Sequence, residues 1–364
     1  MDIYDKYGLK KVINADGKMT ILGVSKVSNQ VIEAQKEGAQ NFFEMSDLLV
    51  QTGKYLAKLV GSEDALIVNS ASAGIVETIA GIIGQGSSYH VGHPYTEKIS
   101  KREVILPMGH NVDYGAPVDV MLMVAGTKVI PAGYANMCTP EHLEMEITDQ
   151  TAAILYIKSH HTVQKSMLSI PEAIEVAHRH GLPLVLDAAA EEDLLKYIKL
   201  GVDVVIYSGA KAIEGPASGV VFGKEKYIKW ARIQGAGIGR AMKIGKENII
   251  ALTTAITEYL KEGPESGQAM IERLKPFVEK LSEISDLQVK IVQDAAGREI
   301  YRAEVKPKKL SAKSICDQLK NGETAIYARE YRVNEGIIEF DIRAVNEVEM
   351  YQIVSRLKEI VEGE

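Results

Sequence analysis

The stretch Asp203-Val-Val-Ile-Tyr-Ser-Gly-Ala-Lys211, running on through Ala-Ile-Glu-Gly-Pro-Ala-Ser-Gly219, decides how the rest of the chain is read. Val204-Val-Ile206 is a short run of β-branched residues, the pattern of a strand buried on both faces. It ends in small residues, Ser208-Gly209-Ala210, which deliver one lysine, Lys211, to a turn. Upstream, the apolar run Leu184-Val-Leu186 delivers one aspartate, Asp187, in the same way. A strand-end aspartate followed by a strand-end lysine is the minimal pair for holding pyridoxal phosphate. The lysine serves as Schiff base and the aspartate faces the pyridinium nitrogen. A surface lysine and a structural aspartate fit those two residues equally well, so the flanking sequence has to decide.

On either side of the pair the chain alternates short apolar runs with helical or loop segments. The runs are Ala65–Val68, Glu103–Leu106, Thr127–Ile130, Ala152–Ile157, Leu184–Leu186 and Val204–Ile206. A further one, Gly219-Val-Val-Phe222, follows the lysine turn closely enough to return antiparallel. Continuous apolar strands separated by helices predict an α/β fold with a mostly parallel sheet covered on both faces. Ligands of such sheets bind at the carboxyl ends of the strands, where Asp187 and Lys211 stand.

Helices are expected over Ser28–Phe43, Leu48–Val60, Ile75–Ile83, Pro171–His180 and Glu247–Leu260, the fourth stopped by Gly181 and Pro183. His178 and His180 in its last turn suit the negative end of the helix dipole better than a metal. Glu262–Gly267 reads as a linker. Three domains' worth of sequence follow: a segment over 1–45 expected to pack with the small domain, a large domain over 46–262 that includes a connecting helix, and a smaller α+β domain over 263–364.

The chain has 364 residues, 46% hydrophobic and 25% charged, with a net charge of −7. That balance is ordinary for a soluble globular protein and argues against a nucleic-acid-binding surface. The two cysteines, Cys138 and Cys316, are far apart, which excludes a disulfide framework or a paired-cysteine zinc site and points to a reducing cytoplasm. No signal-peptide pattern or membrane-length apolar run occurs.

Asn69-Ser70-Ala71-Ser72-Ala73-Gly74 lies between a strand and a helix. Its small residues, free amides and hydroxyls suit a phosphate, although an ordinary serine-capped turn would look similar. Ser208 would add a donor. Polar candidates for the cofactor ring are His161 and Gln164, after the Ala152–Ile157 strand, and His110, after the Glu103–Leu106 strand, with Tyr114 or Asn111 as alternatives to His110. Gly235-Ala-Gly-Ile-Gly-Arg240-Ala-Met-Lys243-Ile-Gly245 fails as a Walker loop, because its glycine spacing is too long and Glu247 stands where Ser or Thr is needed. As a mobile loop it would offer Arg240 and Lys243 to an anionic substrate group. Arg343 is a candidate clamp for a substrate carboxylate, with Asp341 beside it as a structural partner instead. His90 and His93 have metal-like spacing but no third ligand nearby, so no metal is expected.

Assembled, these residues resemble the fold-type I pyridoxal phosphate enzymes, and within them the selenocysteine synthase (L-seryl-tRNA selenium transferase) superfamily. The resemblance is carried by Asn69–Gly74, His161-Thr162, Gly181–Asp187, Tyr207-Ser-Gly-Ala-Lys211 through Gly215-Pro216, and Arg240–Lys246. It implies a seven-stranded, mostly parallel sheet between helices, Lys211 as Schiff-base lysine and Asp187 as the pyridinium partner. It also implies a cytoplasmic homo-oligomer, a dimer or larger. The chain begins almost at the catalytic domain and is acidic, which disfavours a tRNA substrate. It is more similar to the shorter relatives that release ammonia from D-glucosaminate 6-phosphate, a phosphorylated amino sugar acid. A seryl-tRNA-dependent transferase and elimination on a sulfur amino acid are the alternatives.

Overall fold

The computed structural model describes residues 2–159, 161–294 and 298–363. Through these residues the strands are β1 (Lys11–Ala15), β2 (Asp64–Val68), β3 (Glu103–Pro107), β4 (Lys128–Ala132), β5 (Thr151–Ile157), β6 (Leu184–Asp187), β7 (Val204–Ser208), β8 (Gly219–Gly223), β9 (Leu287–Gln293), β10 (Tyr301–Pro307), β11 (Thr324–Ala328) and β12 (Ile338–Phe340). The chain divides into two units, Val27–Pro264 and Met1–Lys26 together with Glu265–Glu364.

The larger unit is built on a seven-stranded sheet of order β2-β8-β7-β6-β5-β3-β4. All neighbours are parallel except β8, which runs antiparallel to β2 and to β7, as its closeness to the lysine turn predicts. Strand periodicity explains the two cores. Val205 and Tyr207 of β7 point into the core shared with Leu56, Ile249 and Leu252. Val204 and Ile206 point into the opposite one, with Ile75 and Ile79. Along the inner strands neither face is left for water, so they read as near-unbroken apolar runs, while the edge strand β4 is half exposed.

The helix Ala71–Gly84 is buried from Ala73 to its end, which accounts for its lack of a polar face. It begins at Ala71, so the small residues after β2 are its first turn. The helix Asn29–Gln40 is capped by Ser28 Oγ, which accepts from Val31 N at 3.2 Å. It packs on the helix Lys246–Glu262, whose Lys246 Nζ donates to the Gly38 and Ala39 carbonyls at 2.7 and 2.5 Å. These contacts place the division after Lys26, not at residue 45 as the sequence reading had it.

The smaller unit has a three-stranded antiparallel sheet, β12-β10-β9, and a parallel pair, β1-β11. Three helices, Gly267–Ser282, Ala312–Asn321 and Glu347–Glu362, cover its core. Among the described residues, no helix is long and apolar enough to cross a membrane.

Candidate active site

Asp187 is the last residue of β6, flanked in register by Ile157 of β5 and Ile206 of β7. Hydrogen bonds hold the turn beyond it in place: Lys158 N donates to the Asp187 carbonyl at 2.8 Å, and Ala189 N donates to Asp187 Oδ1 at 3.0 Å. The carboxyl is buried. Burial pushes its pKa up, while the Ala189 amide and the charge of Lys211 pull it down. A buried carboxylate with so little hydrogen bonding calls for a cation beside it. Lys211 is near enough for its charge to be felt there.

Lys211 comes off β7 by a turn that the small residues make possible. Gly209 N donates to the Ser218 carbonyl at 2.9 Å, and Gly215 N donates back to the Gly209 carbonyl at 2.7 Å. Ser218 is itself buried, its hydroxyl donating to the Pro216 carbonyl at 2.6 Å. The Ser-Gly-x-Lys-x-x-x-Gly-Pro pattern is thus one closed loop that presents a half-buried lysine. Ser208, half-buried, ends β7 opposite Gly219 of β8.

Val68, at the end of β2, lies on the other side of Gly219. Ser70 caps the helix that follows, its Oγ accepting from Ala73 N at 3.0 Å. The amides of Ala71 and Ser72 fall in the first turn, where helix geometry supplies no acceptor. Gly219 allows this turn to sit directly on the sheet. A Cβ at Gly219 would lie 2.6 Å from the Ser70 carbonyl carbon and 2.7 Å from Ala71 N.

Tyr114 connects this cup to the aspartate. Its hydroxyl lies 3.2 Å from Ser72 Oγ, and both burial and the Asp187 charge raise its pKa. His110 is buried on the inner side of the same end of the sheet. It packs edge-on against Tyr156, with centroids 4.4 Å apart, and its Nδ1 accepts from Ile157 N at 3.4 Å. Burial, helped by Lys158, pushes the imidazole down to about 4, so it is neutral at physiological pH.

Other residues singled out in the sequence fare differently. Gln164 is committed to its own loop: Lys158 Nζ donates to its Oε1 at 3.0 Å, and its Nε2 donates to Thr162 Oγ1 at 2.6 Å. His161 is exposed, with its amide on Ser159 Oγ at 3.2 Å. That loop packs on the His110 turn through Val163 N and the Gly109 carbonyl, 3.2 Å apart. Arg240 and Lys243 are exposed and make no ion pair or side-chain hydrogen bond among the described residues. Arg343, in the smaller unit, grips Asp341 with two nitrogens at 2.9 and 2.8 Å, and Arg302 Nε reaches the same carboxylate at 3.2 Å.

His90 is fully buried, with neither ring nitrogen bonded, and His93 stacks on Tyr89 at 4.4 Å. Among the described residues, no group of three His, Cys, Asp or Glu side chains is arranged to hold a metal. His178 owes its place to Asp203, 2.9 Å from its Nε2, and not only to the helix dipole. Lys158, half-buried and close enough for its charge to act on His110, went unremarked as an individual residue because nothing in a polar loop singles out one lysine.

A seven-stranded sheet with one antiparallel member, and an aspartate, a lysine turn and a capped helix at one end of it, is the fold of the fold-type I pyridoxal phosphate enzymes. A structure titled NifS-like protein shares it at 16% identity and a TM-score of 0.58, over 97% of this chain and 100% of the other. The chain belongs to the L-seryl-tRNA selenium transferase family, whose sequence profile matches residues 12–320. It is 44% identical to D-glucosaminate-6-phosphate ammonia lyase of Salmonella typhimurium (strain 14028s / SGSC 2262), over 99% of this chain and 98% of that one. It is 32% identical to 5'-C-glycyluridine monooxygenase-decarboxylase of a Streptomyces species, over 98% and 92%. A solved structure of D-glucosaminate-6-phosphate ammonia-lyase superposes with a TM-score of 0.94 at 44% identity, covering 100% of this chain and 99% of the other.

Proposed function

We propose that this chain is a cytoplasmic, homo-oligomeric pyridoxal phosphate-dependent ammonia-lyase acting on D-glucosaminate 6-phosphate. The observation that carries the substrate is the 44% identity to the Salmonella lyase across nearly the whole of both chains. The observation that carries the cofactor is the buried Asp187 carboxyl, with its single amide donor and Lys211 acting on it. A protonated pyridine nitrogen is the cation such a carboxylate lacks, and the first turn at Ala71 and Ser72 suits a phosphate. When bound, the cofactor supplies a sink for the electrons left at the substrate's α-carbon.

The chain's own residues have separable roles. Lys211 would hold the cofactor covalently and, once released by substrate, take the α-proton at its Nζ. Asp187 would keep the ring nitrogen protonated. Ser70, Ala71, Ser72 and Ser208 would hold the cofactor's phosphate, with Tyr114 steadying Ser72. His110, neutral and buried, and the loop carrying His161 and Gln164 would bound the ring. Arg240 and Lys243, exposed and unpaired, are the cations for the phosphate of the substrate. The net chemistry loses a hydroxyl from C3 as water, adds water at C2 and releases ammonia, giving a 2-keto-3-deoxy acid phosphate.

Incubation of the purified protein with D-glucosaminate 6-phosphate should release ammonia and 2-keto acid in equal amounts. Lys211→Ala should abolish both, and Asp187→Asn should retain cofactor but lose turnover by a factor of ~100 or more. Borohydride reduction followed by peptide mapping should label Lys211. Absence of ammonia above the Lys211→Ala background would refute the substrate, and a label on another lysine would refute the site.

A further inference from the structure

The helix that opens at the phosphate cup carries a carboxyl the proposed reaction does not use. Glu77 is 6% exposed, and no hydrogen bond or ion pair holds it among the described residues. Gln234 is fully buried too, and its Oε1 has no donor. Both bear on one glycine. A Cβ built on Gly239 would lie 2.8 Å from the Gln234 carbonyl oxygen and 3.0 Å from Glu77 Cδ. At Gly237 a Cβ would lie 2.3 Å from the Val91 carbonyl oxygen. The glycines are therefore contact points, not hinges, and the mobile loop expected from the sequence is two tight 3-10 turns, Gln234–Ala236 and Ile238–Met242. The second turn carries Arg240.

In such a seam a carboxyl is favoured as the acid, which can donate one hydrogen bond, over an anion with nothing to accept from. Burial alone pushes Glu77 up to about 8. On the elements packed against its helix, Asp64 and Arg232 are paired with each other at 2.9 Å, and no charge from Asp119, His90, Tyr227 or Arg240 adds to the effect of burial on Glu77.

We propose that Glu77, as the neutral acid, is a positioning residue that seats the Gln234–Lys243 segment on the cup helix and so fixes Arg240 for the phosphate of the substrate. This rests on the reading of Arg240 as a substrate-phosphate cation. Ionisation would place an unpaired anion under Gly239 and lift the segment, weakening phosphate binding while leaving Lys211 and Asp187 in place. Glu77→Gln keeps a donor that cannot ionise.

The test compares the cofactor-loaded wild type, Glu77→Gln and Arg240→Ala between pH 7.5 and 9.5. In that range a phosphate monoester is already doubly charged. Wild-type KM for D-glucosaminate 6-phosphate should rise, by ~tenfold at pH 9, with kcat following the same profile as in Glu77→Gln. Glu77→Gln should match the wild-type KM at pH 7.5 and lack the rise. Tryptic cleavage after Arg240 or Lys243, followed by mass spectrometry, should appear in the wild type only at the alkaline end and stay suppressed in Glu77→Gln. An alkaline rise that persists in Glu77→Gln, or equal cleavage of both proteins, would overturn the role of Glu77 alone. An Arg240→Ala enzyme with wild-type KM would overturn the reading of Arg240 and this inference with it.

Discussion

Substituting Gly219 by alanine tests whether the phosphate cup is seated on the sheet in the way described. Gly219 stands between Val68 and Ser208 in the register, and its missing side chain is what lets the Ser70–Ala71 turn touch β8. The added Cβ would meet three backbone atoms of that turn at 2.6, 2.7 and 2.8 Å. Backbone atoms cannot rotate away, so clearing the overlap to ordinary contact moves the turn by roughly 1 Å. Overpacking of this kind costs ~1–3 kcal/mol in stability. A displacement of that size at a positioned site costs ~100-fold in function. The assay is cofactor content after exhaustive dialysis, read beside thermal unfolding, where each kcal/mol moves Tm by ~2–4 °C in a domain of this size. Gly92→Ala is the matched control, because a Cβ there meets nothing within 4 Å. A Gly219→Ala protein that keeps its cofactor and its Tm as well as the control does would refute the seating.

Two more outcomes follow from buried ionisable groups. Arg343→Ala should cost ~1–3 kcal/mol in chemical unfolding, because the fully buried Asp341 would lose a two-nitrogen partner but keep its bond from Arg302 and the charge of Arg329; unchanged stability with a raised KM would show that Arg343 serves substrate and not the fold. Glu77→Gln should stabilise the protein progressively as pH rises from about 4.5 to about 8 and by a constant amount beyond, since a carboxyl raised from 4.5 to about 8 in the folded state loses stability across that window. Relaxation keeps the gain below ~5 kcal/mol, and a pH-independent difference in Tm would rule out a titrating Glu77.

The sheet was legible because its inner strands are buried on both faces and so appear as near-continuous apolar runs, whereas the edge strand β4 is half exposed. The antiparallel return of β8 was legible from its short distance to the lysine turn. Asp187, Lys211 and the Ser70–Ser72 turn were readable because each follows such a run directly. The contacts that turn these elements into a site were not. That Gly219 carries the cup depends on a pairing with β2, which lies far away in sequence. Glu77 sits in a helix that looks like plain core apart from this residue, and its partners come from a segment that, by composition, reads as a flexible glycine loop. Arg343 reads in the sequence either as a clamp or as an ion pair, and only the fold shows that Arg302, from β10, shares the Asp341 carboxylate with it. Local sequence reports the period of an element, and long-range pairing decides which side chains have partners.

The place of β8 explains why two different failures should be separable in this protein. The strand begins just after the loop that presents Lys211, its first residue lies against the cup, and its next neighbour is the strand that ends at Ser208. A change at Gly219 would therefore act first on the Ser70–Ala71 turn, whereas Asp187 ends β6, two strands from β8 in the sheet. Loss of the cup should loosen the cofactor yet leave each bound molecule competent. Loss of the Asp187 charge should leave the cofactor held and idle. On this reading the two roles fall on different strands of one sheet, and Gly219→Ala and Asp187→Asn are the pair of variants that separates them.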